Sequence, residues 1–248
     1  DLELLKSNVF SGMDVKIVDE SEKFSTFIVT GPNSRDLLSE ITDADLTLGW
    51  LTHQKAKVLS IPCMLARVSF AGELGWEIHV ANEDAPGIYQ EIISRNAKPF
   101  GMFALNSLRI EKGYKAWKGD LSTDYSLLEA GLDRFIKFDK EVDFRGKKAL
   151  QVEQQRGSKK LFTILKVNTN GCDAPYMSTV WHNGEVVGEV TSGAWGYRVN
   201  SSIALCMLKP ELSKAGKVVE IEIYGQRCKA TVHGQDPLWD PQNLRIRK

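Results

Sequence analysis

Long apolar runs are missing from this 248-residue sequence. Nothing in it approaches the ~20 consecutive apolar residues that a bilayer-spanning helix needs. Its first residues, Asp1-Leu2-Glu3-Leu4-Leu5, also lack the basic and then apolar pattern of a secretory signal. Together these absences imply a soluble protein. An excess of either charge is missing as well, because 32 Lys and Arg face 32 Asp and Glu and the pI is near 7.1. Without a basic surplus there is no electrostatic footprint for sequence-independent nucleic-acid binding, and only a local patch could serve. Cysteine is sparse. Cys63, Cys172, Cys206 and Cys228 are far apart with no C-x-x-C pair, which argues against a zinc site and against a disulfide scaffold. They read as reduced, mostly buried thiols of an intracellular compartment.

Generic catalytic motifs are absent too. There is no G-x-S-x-G, no P-loop, no H-E-x-x-H and no G-x-G-x-x-G opening a helix. His53, His79, His182 and His233 lie on separate elements without ligand-like spacing, so surface or structural roles are expected for them and no metal site is. The initiator Met is also missing, and Asp1 to Asn8 looks like part of a polar helix, so the sequence reads as a fragment or a processed product.

What is present is 42% hydrophobic residues in a length that suits one large or two modest domains with a real core. The first half mixes strand and helix patterns. Val15–Val18, Phe24–Val29, Gln54–Leu59 and Cys63–Phe70 are short, β-branched or aromatic runs bounded by turn residues, the pattern of strands. In the last of these, Met64, Ala66, Val68 and Phe70 are predicted to share one face. Trp76–Val80 resumes extended structure beyond Ala71–Gly75 and makes a hairpin or bulged pair. Helices are predicted after Gly31-Pro32-Asn33-Ser34, after Pro86, and over Phe103–Lys112 with Gly113 as terminator.

From Lys160 onward the pattern changes to short strands: Leu161–Val167, Met177–Trp181, Glu185–Thr191, Ile203–Leu208, Val218–Tyr224 and Gln226–Val232. Turns such as His182-Asn183-Gly184 separate them, which suits a small antiparallel barrel. The predicted class is therefore α+β, with a mixed α/β domain over residues 1–150, a polar linker over 151–158, and an antiparallel β-barrel domain over 159–248.

Three local patterns carry chemistry. In Val68-Ser69-Phe70-Ala71-Gly72-Glu73-Leu74-Gly75-Trp76-Glu77-Ile78, two glycines permit a tight turn before a strand bearing an aromatic residue and an acid. Trp76 and Glu77 must point to opposite faces of that strand. A Glu77 that faces inward needs a base or a ligand with N–H donors; the alternative is an exposed Glu on a half-solvated strand. In Ser107–Leu121, Arg109 falls near a helix boundary beside the core. In Leu128–Leu132 and Asp143–Leu150, glycine punctuation and packing suffice.

Taken in order, these segments resemble the folate-binding aminomethyltransferase family, that is, the T-protein of the glycine cleavage system and its relatives. The nearest branch is the folate-binding C-terminal region of sarcosine and dimethylglycine dehydrogenases. The matching residues are Gly72-Glu73-Leu74-Gly75-Trp76-Glu77; Glu111-Lys112-Gly113-Tyr114 with Trp117 and Asp120; and Glu129-Ala130-Gly131-Leu132 followed by Phe144-Arg145-Gly146-Lys147. Val190-Thr191-Ser192-Gly193 before Ser202-Ile203-Ala204-Leu205, and Asp240-Pro241 with Arg245-Ile246-Arg247, extend the match along the chain.

The resemblance implies a tetrahydrofolate-binding domain that takes up a one-carbon unit as 5,10-methylenetetrahydrofolate. The donor would be an aminomethyl carrier or the imine of an oxidised N-methylglycine. Glu77 matches the family's pteridine-recognition carboxylate, which accepts the two adjacent N–H donors of the 2-amino-4-oxopyrimidine edge. Phe70 stands where many members have Tyr, Arg109 matches the helix Arg, with anion binding or a structural ion pair as its two readings, and Trp117 stands where T-proteins have Tyr, as core wall or ligand contact. Lys118 replaces a Gly, and Ser201 stands where Lys is frequent. Roughly a hundred further family residues, including the acid beside the reacting folate nitrogen, have no counterpart here. No residue of this chain is therefore assigned as catalytic, and FAD is expected only with an upstream flavin domain or partner chain. The implied compartment is the cytoplasm for a bacterial protein and the mitochondrial matrix for a eukaryotic one. The alternative is a non-catalytic folate-binding or regulatory module on the same fold; neither reading involves nucleic acid or a membrane.

Overall fold

Alternating apolar residues build the first of two compact units, which comprises Asp1–Ser69, Glu73–Pro99 and Ile246–Lys248. The structure is a computed structural model and describes residues 2–169 and 171–248. The unit contains α1 (Leu2–Ser7), β1 (Phe24–Thr30), α2 (Ser34–Ser39), β2 (His53–Val58), β3 (Ile61–Ala66), β4 (Gly75–Ala81) and α3 (Ala85–Ser94). The strands form an antiparallel sheet in the order β1-β4-β3-β2. Leu59 and Ser60 both adopt positive φ between β2 and β3, the backbone that a tight two-residue hairpin requires. One sheet face carries Val29, Leu65, Trp76, Ile78 and Val80 onto Leu38 of α2 and Ile88 and Ile92 of α3. Each large aliphatic side chain buried there contributes about 1.5–3 kcal/mol. Pro86 lies in the first turn of α3, where its missing N–H costs nothing.

Two expectations for this unit need correction. Val15–Val18 is not a strand. Val15 and Val18 are exposed, and without a neighbouring ladder a β-branched run gains nothing from extension. The Cys63–Phe70 strand ends at Ala66; Met64 and Ala66 do share a face, that of His79 and Glu77, while Leu65 joins the apolar cluster on the other. Helix α1 spans Leu2–Ser7 of the expected polar helix and buries none of its residues; Asp1 lies outside the described residues.

The second unit comprises Phe70–Gly72 and Phe100–Arg245. It holds α4 (Met102–Glu111), α5 (Lys147–Arg156), β5 (Leu161–Val167), β6 (Thr179–His182), β7 (Glu185–Gly196), β8 (Ser201–Leu208), β9 (Val218–Ile223) and β10 (Gln226–Gly234). The six strands close into an antiparallel barrel in the order β10-β5-β8-β7-β6-β9. Leu165, Val190, Cys206 and Ile221 belong to one apolar cluster, whereas Phe162, Ile164, Ile203 and Leu205 pack in a second with Ile110 of α4. A strand covered on both faces has no reason to alternate, which accounts for the unbroken apolar run Ile203–Leu208.

Strand β7 runs to Gly196, past the predicted end at Thr191, with a register shift between Val190 and Ser192. The stretch 151–158, expected as a linker, is helical through Arg156, and buried Glu153 accepts hydrogen bonds from the hydroxyls of Ser126 and Ser158. Of the four free cysteines, only Cys206 is fully buried and its thiol is pushed up by burial; Cys172 is exposed. No helix of the described residues is long and apolar enough to cross a membrane.

Candidate functional site

Glu77 is carried by β4, between Ile28 of β1 and Ala66 of β3 in the sheet register. Strand alternation buries Trp76 completely and turns Glu77 to the opposite, partly open face. The Glu77 side chain is 31% exposed, and its Oε2 lies 3.2 Å from Nε2 of His79. Nδ1 of His79 lies 3.0 Å from the Thr26 hydroxyl. Glu77 is thus neither the deeply buried carboxylate nor the unattended surface acid that the pattern allowed. It is an acceptor held at one oxygen, with the other taken by no described residue.

Behind that face, Arg67 is 1% exposed and stacks on the Trp76 ring at 4.8 Å. Its Nη1 donates to the Gly75 carbonyl and its Nη2 to the Lys248 carbonyl, which also accepts from Arg35. Burial, followed by repulsion from Arg35, pulls the Arg67 guanidinium below its ordinary range.

The remaining candidates belong to the second unit. Arg109 on α4 is buried and uses every donor it has. Nε and Nη2 reach Asn106 Oδ1, Nη1 reaches the Tyr114 carbonyl and Asp120 Oδ2 (2.6 Å), and Nη2 also reaches Ser192 Oγ (2.7 Å). Burial lowers the Arg109 guanidinium from its ordinary value, and Asp120 opposes that shift. Asp120 is fully buried and accepts in addition from the Ala116 N–H and from the Thr191 and Ser192 hydroxyls. Of the two readings open for Arg109, the geometry is that of the structural ion pair.

Phe70 stacks on Tyr114 with ring centroids 6.0 Å apart and planes 11° from parallel. Tyr114 also offers its carbonyl to Arg109, so Phe70, Tyr114 and Arg109 form one linked group. Burial raises the Tyr114 phenol. Trp117, on the loop that Asp120 and Arg109 secure, is 64% exposed and is no core wall. Lys118 beside it has φ +70°, a conformation in which glycine costs less than any L side chain. Lys115 lies 4.0 Å above the Phe162 ring, and burial, reinforced by Arg134, lowers its amine to about 8.

The glycines before Glu77 are required by contact as much as by turning. Gly72 has φ +72°, and a Cβ there would lie 2.9 Å from Cβ of Lys112, itself buried and paired with Asp240. A Cβ on Gly75 would lie 2.7 Å from Cβ of Ser69. Among the described residues no group of three or more His, Cys, Asp or Glu is arranged to hold a metal ion.

Residues 1–140 match the model of the GCVT N-terminal domain, and residues 159–240 match that of the glycine cleavage T-protein C-terminal barrel domain. The chain belongs to the glycine cleavage T-protein family. Within that family it is 36% identical to mitochondrial dimethylglycine dehydrogenase of Rattus norvegicus over 97% of this chain and 29% of that protein. It is 33% identical to mitochondrial sarcosine dehydrogenase of Mus musculus over 94% of this chain and 27% of that one. An aminomethyltransferase of Thermosipho melanesiensis is 29% identical over 90% of this chain and 61% of its own length. The chain therefore spans about three tenths of the dehydrogenases. The crystal structure of the glycine cleavage system aminomethyltransferase T from Bartonella henselae shares the fold, with a TM-score of 0.78 and 22% identity over 85% of this chain and 58% of that one.

Sequence reasoning about this T-protein family member missed His79, Asp120 and Arg67 as partners. The first was detectable: positions 77 and 79 of one strand necessarily share a face. Asp120 stands 11 residues after Arg109 across a loop, and no periodicity links them.

Proposed function

We propose that the chain is the tetrahydrofolate-binding portion of an aminomethyltransferase-like or N-methylglycine dehydrogenase enzyme, which passes a one-carbon unit to tetrahydrofolate to give 5,10-methylenetetrahydrofolate. The observation that carries this reading is Glu77, a carboxylate on an open sheet face with one oxygen uncommitted. Two adjacent N–H donors on a 2-amino-4-oxopyrimidine edge match such an acceptor in bidentate, charge-assisted fashion. Tetrahydrofolate, when bound, supplies the amine nitrogens that take up the one-carbon unit.

The chain's own residues bind and orient. Within the second unit, Phe70 on its Tyr114 stack and the exposed indole of Trp117 offer aromatic surface of the kind a ring ligand uses. Arg109 acts at one remove, holding the Tyr114–Asp120 loop from which Trp117 projects. None of the four is assigned to the transfer step. In this reading the flavin chemistry of a dehydrogenase lies outside these 248 residues, consistent with the small share of the rat and mouse dehydrogenases that they cover. The compartment follows the source, mitochondrial matrix for a eukaryotic protein and cytoplasm for a bacterial one.

A second reading, a non-catalytic folate-binding or regulatory module, is favoured by the saturation of Arg109, which leaves no donor for an anionic substrate. Titrating the intact protein with tetrahydrofolate tests the shared element, and Glu77→Ala is expected to weaken binding about tenfold to a hundredfold. Formation of 5,10-methylenetetrahydrofolate from dimethylglycine, sarcosine or an aminomethyl carrier by that protein supports the enzyme, and its absence despite tight binding supports the module.

A further inference from the structure

We infer that His79 is a positioning residue for Glu77, fixing the carboxylate plane through a Thr26–His79–Glu77 hydrogen-bond relay at Oε2 so that Oε1 and the second lone pair of Oε2 face the ligand's two N–H donors. This rests on the reading of Glu77 as the folate-recognising carboxylate.

The relay follows from the sheet. Thr26 of β1 stands opposite His79 of β4 in the antiparallel register, and residues 77 and 79 point to the same face. An ionised carboxylate only accepts, so the hydrogen in the 3.2 Å contact between Glu77 Oε2 and His79 Nε2 belongs to the imidazole. In the neutral ring Nδ1 then carries the lone pair, and the Thr26 hydroxyl donates to it at 3.0 Å. A single tautomer satisfies both contacts, an assignment made from the network itself. In the register no charged side chain flanks the pair on the adjoining strands: Ile28 and Ala66 stand beside Glu77, and Thr26 and Met64 beside His79. The nearest candidates on that face, Lys55 and His53, sit on β2, one strand further away.

A free glutamate side chain must be immobilised when a ligand binds, and that ordering lowers affinity. Holding Oε2 in advance removes part of the cost. It also gives the carboxylate one defined plane, which a bidentate contact requires.

The test measures tetrahydrofolate affinity of the intact protein by calorimetry. His79→Ala is expected to weaken binding about threefold to tenfold, and His79→Gln, whose amide N–H can donate to Glu77, to recover part of the loss. Thr26→Val is expected to give a smaller loss that Thr26→Ser restores. Because His79 acts through Glu77, the Glu77→Ala/His79→Ala double variant should bind no more weakly than Glu77→Ala alone. Losses that add, or a His79→Ala protein that keeps full affinity while Glu77→Ala loses it, would overturn the positioning role alone. Full affinity in Glu77→Ala would instead remove the folate reading on which it rests. Should His79→Ala fail to fold, His79→Gln and the Thr26 pair carry the same comparison.

Discussion

Glu77 and Asp120 are both carboxylates in contact with a base, and their surroundings are opposite. Asp120 is fully buried and accepts from Arg109, the Ala116 N–H and two hydroxyls, while Arg109 has all five donors occupied. Glu77 sits partly open on a sheet face and is held at one oxygen by one histidine. A network with every member satisfied cannot take a ligand without first losing a buried hydrogen bond, whereas an acceptor with spare capacity can. The comparison separates what keeps the second unit folded from what the first unit offers to a ligand. It also shows why an arginine beside a helix end, attractive as an anion site in the sequence, is spent on structure here.

The largest effect is expected from breaking the closed network. Asp120→Ala leaves a buried guanidinium without its counterion, and removal of one partner of such a pair costs about 3–5 kcal/mol. Denaturant unfolding should show that loss, while the protein that remains folded loses tetrahydrofolate affinity only to the smaller extent that the Trp117 loop loosens; a large loss of affinity with unchanged stability would mean that the network belongs to the ligand.

Gly72→Ala should cost less, about 1–3 kcal/mol, from a positive φ and from crowding against Lys112. Unfolding midpoints would show it, and a neutral result would detach this motif glycine from the packing of the second unit.

The smallest effect concerns Lys115, a cation over Phe162 that has no ion-pair partner among the described residues, unlike Arg109 with Asp120. Its amine is lowered to about 8 by burial from an ordinary 10.5, so between those values the unfolded chain holds more protons than the folded one. Its contribution to stability therefore rises with pH across that window, and the penalty is complete below it. Lys115→Met should gain on the wild type near pH 7.5 and lose that advantage as the pH climbs towards 10; a gap independent of pH would contradict the assignment.

Much of the fold was legible, for physical reasons that can be named. The barrel strands declared themselves because β-branched runs between turns have few other uses, and all six appear within a few residues of their predicted bounds, except for the longer β7. The helix behind Pro86 and the helix before Gly113 did so through their terminal residues. Val15–Val18 failed because strand propensity without a partner strand stabilises nothing. The strand expected over Cys63–Phe70 stopped at Ala66, since the next residue, Arg67, is buried against Trp76, a choice that only tertiary packing explains. Of the site, Glu77 was legible as an acceptor awaiting a donor. Its histidine was set aside as isolated although strand alternation already placed it alongside, and Asp120 could not be assigned to Arg109 before the loop between them was seen.

The central claim is that the open carboxylate, rather than the closed pair, meets the ligand. Its most direct test is a calorimetric titration of the intact protein and its Glu77→Ala variant with tetrahydrofolate, alongside unfolding curves for both. The account predicts a loss of affinity of about tenfold to a hundredfold with stability changed by no more than about 0.5 kcal/mol; equal affinity in the two proteins would contradict it.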